Sequence, residues 1–140
     1  MTHKILQPAG WARPKGYANG IAASGTQVFI AGQIGWNADQ KFTEQTLAGQ
    51  VGVALRNIVR VLEEAGGRPE HLVRLTWFVT SRREYLEEAA AIGAVYRAVL
   101  GRHFPAMSVV EVAALIESQA KVEIEATAVL PPGAPGRGDH

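Results

Sequence analysis

The stretch Leu72–Val79, with the sequence LVRLTWFV, alternates between two sets of side chains along its whole length. A period of two is the spacing of a β-strand, in which successive side chains point to opposite faces of a sheet. The two sets are Val73, Leu75, Trp77 and Val79 on one side and Arg74, Thr76 and Phe78 on the other. The stretch therefore predicts a strand whose apolar side packs on a core.

An amphipathic helix is predicted on each side of this strand. From Thr43 to Ala65 apolar residues recur at intervals of three and four, and Gly66-Gly67 ends the pattern. After the strand, Ser81-Arg82-Arg83-Glu84 matches a capping box and begins a second helix, predicted to run to about Leu100 before Gly101. The apolar stripes are Leu47, Val51, Leu55, Ile58, Val59 and Leu62 in the first helix and Leu86, Ala89, Ile92, Tyr96 and Val99 in the second.

Further strands are predicted towards both ends of the chain. Tyr17–Ser24 and Gln27–Ala31 predict a hairpin, and Met107–Ala113 and Lys121–Leu130 predict the last two strands. The order β-β-α-β-α-β-β predicts an α+β fold in which two helices pack on one face of a single sheet. No third helix is predicted for the other face, so we expect homo-oligomerisation through the sheet.

Composition limits the class of protein. With 140 residues and 47% hydrophobic content, the chain is expected to form one domain over residues 1–130 without a metal or disulfide. The proline- and glycine-rich tail, residues 131–140, is predicted to be disordered. A net charge of +1 with scattered basic residues argues against nucleic-acid binding. The chain has no cysteine, no signal peptide and no membrane-length apolar run, so a cytoplasmic location without membrane association is expected.

Common catalytic motifs are missing. The histidines have no metal-ligand spacing, and no Gly-x-Ser-x-Gly is present, so neither a metal site nor a hydrolase triad is predicted. Gly32-Gln33-Ile34-Gly35 lacks both the P-loop lysine and the dinucleotide-binding glycine spacing. The histidines concerned are His3, His71, His103 and His140.

Glu123 and Glu125 are two residues apart on the last predicted strand and so point to the same side. A carboxylate on a face that another subunit covers would be partly desolvated. It would then suit a general acid or base, or an anchor for a catalytic water. Alternatively, both are ordinary solvated charges with Lys121 beside them, and the residues alone favour this second interpretation.

Two late segments, FPAMSVVEVA at 104–113 and KVEIEA at 121–126, resemble the RidA family, also called YjgF/YER057c or endoribonuclease L-PSP. The resemblance extends from about Lys15 to Leu130. It implies a chorismate-mutase-like fold and a homotrimer whose sheets form a central barrel, with small-molecule pockets in the three inter-subunit clefts. It also implies hydrolysis of reactive imines and enamines to ketoacids and ammonia, without a cofactor.

The resemblance also implies roles for individual residues. In the family an arginine of a Pro-Ala-Arg-Ser motif grips the ligand's carboxylate, and a glycine N–H helps to hold it. A tyrosine lines the pocket and a glutamate on the last strand positions water. The corresponding positions are Met107, Gly32, Tyr17 and Glu123, with Gln33 and Val109 as further substrate-binding residues.

This chain departs from the family pattern where the carboxylate should bind. Met107 stands in place of the arginine, and a thioether cannot make a bidentate bond to a carboxylate. Gly93 replaces the usual asparagine and Ala31 a serine. We therefore expect a deaminase of an atypical substrate, one that lacks the carboxylate or binds it elsewhere, for example through Arg13 or Lys15.

Two other functions are open from the sequence. One is a non-catalytic small-molecule-binding or chaperone-like trimer, favoured by the loss of the arginine and the gain of apolar surface. The other is the ribonuclease of the older family name. The sequence offers neither a His–His or His–Lys pair placed for phosphodiester cleavage nor a basic groove.

Overall fold

A computed structural model describes residues 3–132 of the chain. Residues 133–140, which make up most of the tail predicted to be disordered, lie outside the described residues. The elements are β1 (Lys4–Leu6), β2 (Gly20–Ala22), β3 (Thr26–Ile34), α1 (Leu47–Glu64), β4 (Leu72–Val79), α2 (Arg82–Glu87), α3 (Ala89–Leu100), β5 (Ala106–Glu111) and β6 (Val122–Leu130). A short 3-10 turn, Pro69–His71, leads into β4.

The main sheet has four strands in the order β3-β6-β4-β5. β6 runs antiparallel to both β3 and β4, whereas β5 runs parallel to β4. The buried cluster combines one face of this sheet with α1 and α3, and so the predicted α+β arrangement with helices on one face is confirmed. Its largest buried side chains include Leu55, Ile58 and Leu62 of α1, Leu75 and Val79 of β4, and Ile124 of β6.

Strand β6 has the predicted alternation. Val122, Ile124, Ala126 and Ala128 are all buried on the helix side, whereas Glu125 on the opposite side is exposed. In β4 the predicted bounds are confirmed, but Leu72 is buried instead of Val73. The reason is a register shift against β6 between Leu72 and Arg74, which changes the side to which the first residues point.

The two helical segments differ from prediction at their ends. α1 begins at Leu47, not Thr43, because the Thr46 hydroxyl caps it by accepting a hydrogen bond from the Gly49 N–H at 3.0 Å. The predicted second helix is broken at Glu88 into α2 and α3. At this break the Glu88 carboxylate accepts a hydrogen bond from the Ala48 N–H in the first turn of α1, at 2.9 Å.

The predicted capping box is only half formed. The Ser81 hydroxyl accepts a hydrogen bond from the Glu84 N–H at 3.1 Å, as expected. The Glu84 carboxylate instead binds the Lys121 ammonium, with N···O distances of 2.9 and 3.2 Å. This ion pair fastens α2 to the residue that precedes β6.

The N-terminal hairpin prediction is wrong. Gly20–Ala22 pairs with Lys4–Leu6, a segment in which no strand was predicted, and not with β3. Ala18 forms an isolated parallel bridge with Ala106, and its N–H donates to the Pro105 carbonyl at 3.0 Å. Tyr17 therefore precedes a contact with the outer edge of β5 and is not part of a strand.

None of the helices within residues 3–132 has both the length and the apolar character needed to cross a membrane.

We expect the stability of the folded chain to depend on pH through His71, the last residue of the turn Pro69–His71. The Arg68 N–H donates to Nδ1 of His71 at 3.0 Å, and burial, partly opposed by Glu70, lowers the pKa of His71 below its ordinary value of 6.5. The folded chain therefore prefers neutral His71, and the unfolded chain binds the proton more readily. Stability is complete above pH 6.5 and falls as the pH drops from there through the lowered pKa. We expect a lower urea midpoint at about pH 5.5 than at about pH 7.5.

A His71→Asn variant keeps an oxygen acceptor for Arg68 and removes the titration. Its urea midpoint should change less between the same two pH values. If the variant kept the full pH dependence of the parent chain, other titrating groups would be responsible.

Candidate functional site

Glu123 lies on the face of the sheet that the helices do not cover. It pairs with Phe78 of β4 and with Ile34 of β3. Its carboxylate rests against Gly32 so closely that any Cβ at that position would overlap it. Among residues 3–132, Glu123 makes no side-chain hydrogen bond or salt bridge, and so its oxygens are free to bind a water or a ligand.

Gly32 lies in a β-bulge beside this carboxylate. The pairing of β3 with β6 shifts between Ile30 and Gln33, which leaves Ala31 and Gly32 without partners in register. A bulge leaves backbone N–H and C=O groups without hydrogen bonds to the neighbouring strand and bends the strand locally. The Gln33 side chain donates to the Ala31 carbonyl at 3.1 Å and so folds back on the bulge. The structure thus brings Glu123, Gly32 and Gln33 together.

Met107 lies on the opposite face of the same sheet. It pairs with Leu75, whose side chain is buried under the helices, and it packs against the core. Val109, two residues on, pairs with Trp77 and is half exposed at the sheet edge. Within one chain, Met107 and Glu123 therefore cannot reach one ligand.

A groove of about 300 Å³ lies between Met107 and α3. Its walls are aromatic: the rings of Trp77, Tyr96 and Phe104 stack in series, with centroids 6.3 and 5.3 Å apart, and Tyr85 meets Trp77 edge-on. The Tyr96 hydroxyl donates to the His103 carbonyl at 2.6 Å. Burial raises the pKa of both Tyr96 and Tyr85, and so both phenols stay neutral at physiological pH.

Lys15 and Arg13, the two residues predicted as alternative carboxylate-binding cations, line two different pockets. Lys15 lines the groove of Met107, whereas Arg13 lines a second pocket, of about 280 Å³, with the half-exposed Tyr17. Phe104 lines both pockets and separates them. Tyr17 and Met107 thus line two pockets that share Phe104, and Met107 lies on the face of the sheet opposite Glu123.

Sequence reasoning missed one residue of the groove, Arg97. It lies on α3 one turn after Gly93 and lines the groove with Met107. The signal was available, because residues four apart on a helix are neighbours and the absence of a side chain at Gly93 leaves room for Arg97.

The remaining hollows and groups of polar side chains provide weaker candidates for a functional site. A larger hollow, of about 590 Å³, lies beside the segment 113–121, and none of the predicted site residues lines it. In the part of the chain that the structure describes, no three histidine, aspartate or glutamate side chains gather to hold a metal ion.

The predicted site residues thus form two groups on opposite faces of one sheet, with Glu123, Gly32 and Gln33 on one side and Met107 and Val109 on the other. Solved structures share the architecture that creates this division. A conserved Rid family protein of unknown function from Yersinia pestis superposes with a TM-score of 0.81 at 32% identity, covering 93% of this chain and 100% of that one. The YjgF gene product of Escherichia coli gives a TM-score of 0.64 at 34% identity, covering 81% and 87%.

These similarities define the fold as that of the YjgF proteins, and the predicted chorismate-mutase-like α+β fold is confirmed. The family model described as endoribonuclease L-PSP matches residues 11–130, and the chain belongs to this RidA/YjgF family. A RutC family protein of Synechocystis is 39% identical, covering 94% of this chain and 99% of that protein. The 2-iminobutanoate/2-iminopropanoate deaminase of Escherichia coli is 34% identical over 116 residues, 81% of this chain and 86% of that enzyme.

Proposed function

We propose that the chain is a hydrolytic deaminase of a reactive imine or enamine, acting in clefts between the subunits of a cytoplasmic homotrimer. The observation that carries the proposal is the unpaired Glu123 carboxylate, which rests on Gly32 on the uncovered face of the sheet. A relative with 34% identity is a 2-iminobutanoate/2-iminopropanoate deaminase, which supports the reaction class.

The reaction needs one group that moves a proton in each direction. Water adds to the imine carbon and gives a carbinolamine, which then expels ammonia and leaves a carbonyl. The Glu123 carboxylate accepts a proton from the water as it adds and passes it to the imine nitrogen, which gives the carbinolamine. It then accepts the hydroxyl proton of the carbinolamine and delivers it to the departing nitrogen, so that the carboxylate is regenerated. One water is consumed and one ammonia released, with no change of oxidation state, and so no cofactor is required.

The uncovered face of the sheet supports the trimer. Phe29 on this face is 73% exposed and Val110 is 44% exposed. Phe29 pairs with Thr127 of β6, and Val110 pairs with Phe78 of β4; both partners are less exposed and lie on the same face. A neighbouring subunit that covered these apolar groups would also bring its own outer edge towards Glu123.

Met107 makes the substrate atypical. In the proposed cleft its thioether provides an apolar contact where a carboxylate-binding arginine is expected, and its surroundings are aromatic. A bulky apolar imine fits this groove better than 2-iminopropanoate, whose small body finds no carboxylate contact at position 107 and leaves the aromatic walls uncovered.

The test is an imine-hydrolysis assay on the purified full-length chain. Imines are generated in situ from alanine and from bulky apolar amino acids by an amino-acid oxidase, and the release of ketoacid is followed above the spontaneous rate. We expect acceleration for the bulky imines and little or none for the alanine-derived one. Lack of acceleration with every imine would refute the deaminase.

The substitution Met107→Arg is expected to raise kcat/KM for 2-iminopropanoate about tenfold to 100-fold. It restores a charge-assisted bidentate contact, worth about 1.5–3 kcal/mol. Met107→Leu is the matched control, since it keeps an apolar side chain of similar size and should not increase this activity. Equal rates for the two variants would show that residue 107 does not contact the substrate's carboxylate.

A non-catalytic ligand-binding trimer is the second candidate. It is favoured by the groove of Met107, which has aromatic walls and contains no carboxylate or histidine. Calorimetric binding of an apolar metabolite, without product in mass spectrometry, would support this candidate over the enzyme.

A further inference from the structure

We propose that Arg97 of α3 is the carboxylate anchor of this protein, taking over the role that the strand position of Met107 has lost. The substrate is then an imino acid with an aromatic or bulky aliphatic side chain. Its carboxylate binds Arg97, with Lys15 beside it, and its side chain packs in the groove of Met107. The inference rests on the proposed function for the reaction but names the substrate class and its binding residue.

The absence of a side chain at Gly93 leaves room for Arg97 beside the groove. A Cβ added at Gly93 would lie 3.3 Å from Nη1 of Arg97, and so the guanidinium lies directly over the glycine. A side chain at 93 would compete with the flexible Arg97 guanidinium for this space, and the glycine therefore leaves room for the arginine at the groove.

The guanidinium has no protein partner. Among residues 3–132, four lysine and arginine side chains form salt bridges. Arg97, whose side chain is exposed, is one of the others and forms neither a salt bridge nor a side-chain hydrogen bond. The paired residues are Arg60, Arg68, Arg83 and Lys121. Five N–H donors in a fixed planar fork are thus available at the groove to a carboxylate, for which that geometry is suited.

The charge of the groove selects an anion. Lys15 and Arg97 line it, and none of its lining residues is an aspartate or glutamate. Both side chains are exposed, and together they place two positive charges at the groove without a counter-charge from its lining, which favours a negatively charged ligand.

A buried donor in the same groove has no acceptor. Trp77 lines the groove and is 3% exposed, and its indole N–H has no hydrogen-bond partner in the described part of the chain. Leaving such a group unpaired is costly, and a native structure rarely does so without a reason. An oxygen atom of a bound ligand would supply the acceptor.

The size and lining of the groove select the rest of the ligand. A volume of about 300 Å³ is at the lower end of the range for small-molecule pockets. Stacked rings on one side and the flexible thioether of Met107 on the other suit an aromatic or branched side chain. The three-carbon 2-iminopropanoate would leave most of this space unfilled.

The experiment measures binding with a probe that the reaction cannot consume. Phenylpyruvate, a ketoacid of the expected product class, is titrated calorimetrically into the full-length oligomer, alongside its methyl ester and pyruvate. The variants are Arg97→Gln, Arg97→Lys and, as a matched control on a solvent-exposed helix position outside the groove, Arg60→Gln. Melting temperatures confirm that each variant is folded.

We expect phenylpyruvate to bind more tightly than pyruvate and than its own ester. Arg97→Gln should weaken phenylpyruvate binding about tenfold or more and abolish the preference for acid over ester. Arg97→Lys should give an intermediate loss, and Arg60→Gln none. Unchanged binding in Arg97→Gln, an ester that binds as well as the acid, or no phenylpyruvate binding to the parent chain would each overturn the inference.

The outcome is separable from that of the imine assay. If the parent chain hydrolyses no imine but binds phenylpyruvate through Arg97, the proposed enzyme fails and the anion site stands. If bulky imines are hydrolysed and Arg97→Gln changes neither kcat/KM nor phenylpyruvate binding, the enzyme stands and the anion site fails.

Discussion

Exchange of Glu123 for glutamine is expected to lower kcat for imine hydrolysis at least about 100-fold, the lower range for loss of a general acid–base group. Glutamine keeps the shape of the side chain beside Gly32 but can neither accept nor return the proton. The fold should not change, because Glu123 makes no side-chain hydrogen bond or ion pair within residues 3–132. Kinetics with the best bulky imine, together with a melting curve, measure both parts of the prediction.

Glu125→Gln is the matched control for this experiment. Glu125 lies on the same strand and the same side as Glu123, but it pairs with Thr76 and is exposed. It is the β6 residue opposite the bulge, but the atoms nearest to the Cβ position of Gly32 all belong to Glu123, and its substitution should leave kcat within about twofold. If Glu123→Gln retained the parent rate, or if both variants lost activity equally, the assignment of Glu123 as the proton-transfer group would be wrong.

Exchange of Gln50 for methionine is expected to lower the free energy of unfolding by about 3 kcal/mol. Gln50 is 2% exposed, the only polar side chain in the described core that is buried to this degree. Its amide donates to the carbonyls of Glu44 at 3.2 Å and Gln119 at 3.0 Å, and its oxygen accepts from the Lys121 N–H at 2.8 Å. Methionine fills a similar volume but leaves three backbone groups without partners.

Urea unfolding measures this loss, and Gln45→Met provides its reference. Gln45 is an exposed residue just before α1, and the same change there should alter the free energy of unfolding by less than about 0.5 kcal/mol. A loss below about 1 kcal/mol for Gln50→Met would mean that water replaces the amide and that the side chain is not a structural tie.

Gln50 also connects the core to the candidate site. It joins α1 to the residues that begin β6, the strand of Glu123. It also packs on Gly35, where an added Cβ would lie 2.7 Å from the Gln50 Cβ. The segments that follow β3 and precede β6 are therefore both in contact with the buried Gln50 side chain.

The parts of the fold that depend on local pattern were predictable. The bounds of Leu72–Val79 were correct because alternation and burial are read along the strand itself. The break at Glu88 was missed because its cause is a hydrogen bond to Ala48, a residue 40 positions away. The hairpin failed for the same reason: Gly20–Ala22 pairs with Lys4–Leu6, and no local signal favours this partner.

The candidate site was predictable only in part. From the residues alone, Glu123 was best interpreted as a solvated charge, and only the family resemblance linked it to Gly32. The structure shows the contact between them. Arg97 was missed because it replaces no family motif residue and its spacing of four from Gly93 was not used; the structure shows its guanidinium over that glycine. The division of Met107 and Glu123 between opposite faces required the register of three strands.

The two edges of the sheet limit how copies of this chain can associate. At the β5 edge, the bridge of Ala18 to Ala106 already occupies part of the place where a foreign strand would add. At the β3 edge, the bulge at Ala31 and Gly32 interrupts the regular backbone that such a strand would need. Growth into an open-ended fibre by strand addition is disfavoured at both edges, and the broad face remains as the surface through which a closed assembly can form.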